Sequence, residues 1–225
     1  MAIINNTFGF VFIHVPKAAG TSVTNAFSVY TNYCDLEIGG TAFGEKLQPL
    51  YRNKFGIYKH IPANELKAVL GAKDWSRFFT FSIVRHPADR LLSTFNFLKQ
   101  WGGTPEDLRE KLSSFESFDS FVRSEVWKRR PGPDNIFFPQ THWLCDKNNN
   151  LLVNFVGKLE NLDSSIDDIK ELLSLPYRNN REIKKLNESS GEKSYSALSS
   201  ESSQLINSFY ERDFTTFEYE MLGQD

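Results

Sequence analysis

Residues 9–22 read GFVFIHVPKAAGTS. Val11, Phe12, Ile13 and Val15 make a β-branched and aromatic run that is too short for a helix and suits a buried strand. Pro16 breaks the run, and Lys17-Ala18-Ala19-Gly20 leads into two hydroxyl residues, Thr21 and Ser22. The pattern predicts strand, loop, helix: Gly20 permits a tight backbone turn, and Thr21 or Ser22 caps the helix that follows. A helix start carries the positive end of a dipole and N–H groups with no carbonyl partner inside the helix, so an anion is favoured there. Lys17 aims a point charge at the same place.

The residue order narrows the anion. A nucleoside-triphosphate loop sets its lysine directly before the Ser or Thr that holds magnesium. Here the lysine is displaced toward the strand, so the same local geometry addresses a different part of a phosphate chain. A second unit of the same design follows at residues 78–84, FFTFSIV, a run that suits a fully buried parallel strand. Arg85-His86-Pro87 ends it, and Leu91, Leu92, Phe95 and Leu98 then recur at helical spacing. Arg85 therefore lies at a strand end and Ser93 two turns into the next helix.

With both units in view, HVPKAAGTS resembles the 5'-phosphosulfate loop of sulfotransferases that use 3'-phosphoadenosine 5'-phosphosulfate (PAPS), in particular the carbohydrate-type sulfotransferase family 2. Arg85-His-Pro-x-x-Arg90-x-x-Ser93 resembles the same family's 3'-phosphate signature, and the two occur in the family's order. The segments KHIPANEL, QTHWLC, GKLENL and LNESS extend the resemblance over most of the chain. It implies a single α/β domain of P-loop-like, three-layer build over residues 1–225, with a central mainly parallel sheet flanked by helices. It implies PAPS as sulfuryl donor with no metal required, and a carbohydrate or glycoconjugate acceptor. Lys17, Ala18, Ala19, Gly20, Thr21 and Ser22 would cradle the phosphosulfate, Arg85 and Ser93 would take the 3'-phosphate, and a loop bearing Ser189 and Lys193 would close over the nucleotide.

The acceptor hydroxyl needs a base near neutral pH, for which histidine is the natural side chain. Of the four histidines, His14 lies in the first strand, His86 beside Arg85, and His142 in a segment that reads as a hairpin. His60 is the best placed, because the resembled family carries its base on this segment, and Glu65 is the reserve. Arg90 reads as structural, paired with a carboxylate such as Asp89 or Glu160. Phe137, Phe138 and Trp143 stand beside a long irregular segment where an acceptor cleft could be lined.

Composition excludes some partners. Lys plus Arg total 26 against 28 Asp plus Glu, so net charge gives no global attraction to nucleic acid or anionic membrane. Two cysteines, Cys34 and Cys145, make no disulfide framework, although one bridge is possible, and offer no CxxC metal spacing. The apolar start is far shorter than the roughly 20 residues that span a bilayer and lacks a basic leader, so a cytoplasmic location without a transmembrane segment is expected. Helices are predicted over 62–70, with Leu66, Val69 and Leu70 on one face, and over 105–112, 117–129, 164–173 and 200–214. Two other classes fit parts of this pattern. A small-molecule or nucleotide kinase would prefer ATP with magnesium, and a non-catalytic binding module would be indifferent to loss of His60 and Glu65.

Overall fold

A computed structural model describes residues 2–129, 135–178, 195 and 198–223. In chain order the elements are β1 (Ala2–Asn5), β2 (Phe10–Ile13), α1 (Gly20–Phe27), β3 (Leu36–Ile38), α2 (Ala42–Phe55), α3 (Ala63–Leu70), α4 (Ala72–Trp75), β4 (Phe79–Val84) and α5 (Pro87–Gln100). They continue with α6 (Glu106–Ser113), α7 (Phe118–Arg123), α8 (Thr141–Leu144), β5 (Phe155–Lys158), α9 (Leu162–Leu172), α10 (Ser200–Phe209) and α11 (Glu211–Thr216). No helix among the described residues is long and apolar enough to cross a membrane. The chain divides into two compact units, Met1–Val84 with Gln140–Leu186, and Arg85–Pro139 with Asn187–Asp225.

The first unit holds one five-stranded sheet in the order β3-β1-β2-β4-β5. β2 pairs in parallel with β4, and β4 with β5, while β1 is antiparallel to both β2 and β3. Four strands therefore point one way and β1 alone runs against them, which makes this α/β sheet mainly parallel. One face follows from the alternation of side chains along each strand. Ile3, Phe10, Phe12, Phe81 and Ile83 pack with Val23, Ala26 and Phe27 of α1 and Leu162, Ile166 and Ile169 of α9. Phe81 is the hub, its ring centroid 5.1 Å from Phe27, 5.3 Å from Phe12 and 5.8 Å from Phe10. Phe81→Ala should cost about 3–5 kcal/mol, the range for truncating a core aromatic, as a fall in the urea midpoint; a change under about 1 kcal/mol would contradict this core assignment.

The second unit is helical among its described residues. Leu91, Leu92, Phe95 and Leu98 of α5 pack with Phe118, Phe121 and Val122 of α7, and with Trp127, Ile206, Tyr210 and Phe214. Arg90 is 1 % exposed and structural, as expected, and its guanidinium donates to the carbonyls of Ile136 and Phe138. Its guanidinium also lies over the Tyr210 ring, whose hydroxyl donates to the Phe137 carbonyl. Asp119 of α7 accepts from the N–H and hydroxyl of Ser199, which caps α10, and these bonds with Arg123 hold its carboxyl down at about 2.

Several expectations need correction. The helix over 117–129 stops at Arg123, because Glu125 adopts a left-handed φ of 54°, and resumes as a 3-10 turn from Val126 to Arg129. The final helix breaks at Tyr210 into α10 and α11. In α3, Leu66 is buried but Val69 is 46 % exposed. The hairpin expected from Trp143 onward is a single bridge, Cys145 to Leu151, and β5 then joins β4 as the parallel edge strand. Phe137 and Trp143 are each 1 % exposed and are core residues, not cleft lining. Cys34, which is exposed, and Cys145, which is buried, are not joined in a disulfide.

Candidate active site

β2 ends at Ile13, next to β4 in parallel register, and the chain then turns through His14 to Ala19 into α1. Such a turn, at the carboxyl end of a parallel strand, is where α/β sheets bind ligands. The turn is not made by Gly20. Lys17 (φ 65°) and Ala19 (φ 57°) take the left-handed conformation, whereas Gly20 is the first helical residue. Left-handed φ is costly for residues with a Cβ, so the local packing must impose it. Main-chain amides exposed by such alternation form an anion-binding concavity.

Helix α1 is entered without a side-chain cap, Ala19 being the capping residue, so neither Thr21 nor Ser22 has the capping role expected of it. Thr21 is exposed on the first turn and Ser22 is 6 % exposed. The Ala18 amide turns back onto the Val15 carbonyl at 3.3 Å, so it serves the turn. Gly20 is demanded by a different neighbour: a Cβ placed there would lie 1.9 Å from Nε2 of His14. The His14 ring occupies the space a side chain would need.

Against His14 lies His60, with ring centroids 4.4 Å apart. His60 Nδ1 is 3.1 Å from the His14 carbonyl oxygen. A carbonyl only accepts, so Nδ1 carries the proton and Nε2 is left with its lone pair, the tautomer a general base requires. The main chain of His60 is fixed in turn by Trp143 of α8, whose indole N–H donates to the His60 carbonyl at 3.1 Å. Lys59 pairs with Glu45 of α2 at 2.7 Å, and its amide donates to Gln48. Glu65 is exposed on α3 and accepts from the Tyr58 hydroxyl at 3.0 Å.

Burial above all, then the N-terminal ammonium, Lys59 and Lys17, holds both His14 and His60 well below the usual imidazole value, so both are neutral at pH 7. The unfolded chain binds protons on these rings near pH 6.5 while the folded one does not. Stability is therefore complete above that value and falls as pH drops through 6.5. The loss approaches roughly 1.4 kcal/mol per pH unit for buried His14 and less for half-buried His60. Urea midpoints measured from pH 8 to 5.5 should show this slope and a shallower one in His14→Gln; equal slopes would contradict it.

In the second unit, Arg85 immediately follows Val84, the last residue of β4. Its guanidinium is 4.0 Å from Asp89, and both side chains are just over a quarter exposed. Asp89 and Ser93 are four apart on α5 and share a face, a half-exposed stripe beside buried Ala88, Arg90 and Leu92. His86 stacks on Tyr195, with ring centroids 5.3 Å apart, and meets Phe214 and Tyr219 edge-on. Ser189 and Lys193 lie outside the described residues.

A family model described as the sulfotransferase family matches residues 1–220. The chain belongs to the sulfotransferase family. No curated protein and no solved structure matched it in the other two comparisons. Membership makes this sulfotransferase a transferase of sulfuryl groups, with a sulfuryl donor and an acceptor substrate. The role of His14 in requiring Gly20 was not legible in the sequence; its only signal is a histidine at the end of the strand that feeds the loop.

Proposed function

We propose that this sulfotransferase moves the sulfuryl group of PAPS to a hydroxyl of a carbohydrate acceptor, with His60 as general base. The observation that carries the reading is the His60 tautomer: Nδ1–H is committed to the His14 carbonyl, which leaves Nε2 as a proton acceptor on a ring that stays neutral at pH 7. The loop supports it from the donor side, since left-handed Lys17 and Ala19, the start of α1 and the Lys17 ammonium together fit a tetrahedral anion.

In the transfer, the acceptor oxygen attacks sulfur, the bond from sulfur to the bridging phosphate oxygen breaks, and the hydroxyl proton passes to Nε2 of His60. Charge gathers on the departing 5'-phosphate, where Lys17 and the first amides of α1 stabilise it. Arg85, by two parallel N–H donors, and Ser93, by its hydroxyl, would recognise the 3'-phosphate that separates PAPS from common adenine nucleotides. The acceptor class rests on the family resemblance. Incubation with PAPS labelled in the sulfuryl group, over a panel of neutral and acidic oligosaccharides, tests it. Label should pass to a saccharide hydroxyl, and label transferred solely to non-carbohydrate hydroxyls would overturn the acceptor class.

A further inference from the structure

His14 has no part in the transfer as described, yet its ring touches both halves of the machinery. On one side it fills the space beside Gly20, so tightly that a Cβ there would come within 1.9 Å of Nε2 and 2.3 Å of Cε1. On the other it lies 4.4 Å from the His60 ring, while its own carbonyl holds His60 Nδ1. Phe12 stacks behind it at 5.8 Å, and the side chain is 8 % exposed. A ring clamped on three sides has little freedom to move without moving its neighbours.

We infer that His14 is a positioning residue: its imidazole, wedged between Gly20 and His60, fixes the anion loop and the base relative to each other. The inference rests on the donor-loop and base assignments above. It explains why the residue after left-handed Ala19 is glycine although its own backbone is helical. It also explains how a base on a loop 46 residues away is held to the loop without a side-chain ion pair.

The charged and titratable groups acting on His60 are the N-terminal ammonium, His14 from the strand end, Lys17 from the loop, and its neighbour Lys59, which is tied to Glu45 of α2; α8 contributes the neutral Trp143 indole. Removing the His14 ring admits water to His60 and lifts one source of crowding, so His60 should then protonate at higher pH. A ring that did not pack on His60 would leave that titration unmoved.

Two readouts test this without an acceptor. The His60 imidazole is followed by NMR from pH 4.5 to 8.5 in the wild type and in His14→Ala, and the product nucleotide 3'-phosphoadenosine 5'-phosphate (PAP) is titrated calorimetrically, with Gly20→Ala placed in both backgrounds. The expected results are an upward shift of at least about half a pH unit for His60, and a loss of PAP affinity from Gly20→Ala of about tenfold or more in the wild type but under about threefold beside His14→Ala. If His14→Ala does not fold, His14→Ser, which vacates the same space and leaves a small polar group, takes its place in both arms. An unmoved His60 titration, or an equal Gly20→Ala penalty in the two backgrounds, overturns the inference. Failure of the wild type to bind PAP at all would fall on the donor assignment instead, and the His60 titration would still decide the role of His14.

Discussion

His60→Ala is expected to lower kcat for sulfuryl transfer by about 10²–10⁴-fold, the usual contribution of a general base, while PAP affinity stays within about threefold. The split follows from geometry. The ring meets the loop through His14, so it is not itself among the groups offered to the phosphates, and its Nε2 is the atom left for the acceptor proton. His60→Gln makes the stricter control, because its amide can still donate toward the His14 carbonyl but offers no base, and it should lose as much. Steady-state rates with the acceptor that takes up label provide the measurement. A loss below about tenfold in both variants would remove His60 from the chemistry and return attention to Glu65.

Arg85→Ala should raise the dissociation constant for PAP at least tenfold, about 1.4 kcal/mol, and leave the constant for AMP nearly unchanged. The contrast isolates the 3'-phosphate, which AMP lacks. Arg85 is well suited to this: it is partly exposed, and Ser93 lies on the same face of α5 as Asp89, 4.0 Å from the Arg85 guanidinium. Arg85→Lys should recover part of the loss, since an ammonium keeps the charge but not the bidentate fork. Equal weakening of PAP and AMP would mean that Arg85 supports structure and does not read the second phosphate.

The sequence made some of this legible and concealed the rest for physical reasons. The two strand-loop-helix units were readable because β2 and β4 are buried on both faces and so appear as unbroken apolar runs. β1 and β3, at four and three residues, carry too little pattern to be read. Helix α2 was equally silent, because Gly44 is its single buried residue and no apolar stripe marks it. The sequence suggests glycine at position 20 for a turn, whereas the fold requires it for space. A turn glycine is a local inference, whereas the collision with His14 depends on how the loop doubles back, and the backbone strain went to Lys17 and Ala19, where composition gives no warning. His60 is singled out by likeness to a family, whereas its tautomer depends on the His14 carbonyl, 46 residues distant. Arg90 reads as structural from the sequence, whereas the carbonyls of residues 136 and 138 to which it donates carry no signal there.

The donor assignment is the claim on which the others stand, and a thermal-shift comparison of PAP, AMP and ATP with magnesium tests it most directly. At a hundredfold excess over its dissociation constant, a ligand of the native state adds about 2.7 kcal/mol. For a chain of this size that is a rise of roughly 5–10 °C in the unfolding midpoint. PAP should produce it, with AMP and ATP–magnesium at the same concentration giving little; a larger shift from ATP–magnesium than from PAP would contradict the account and favour a kinase.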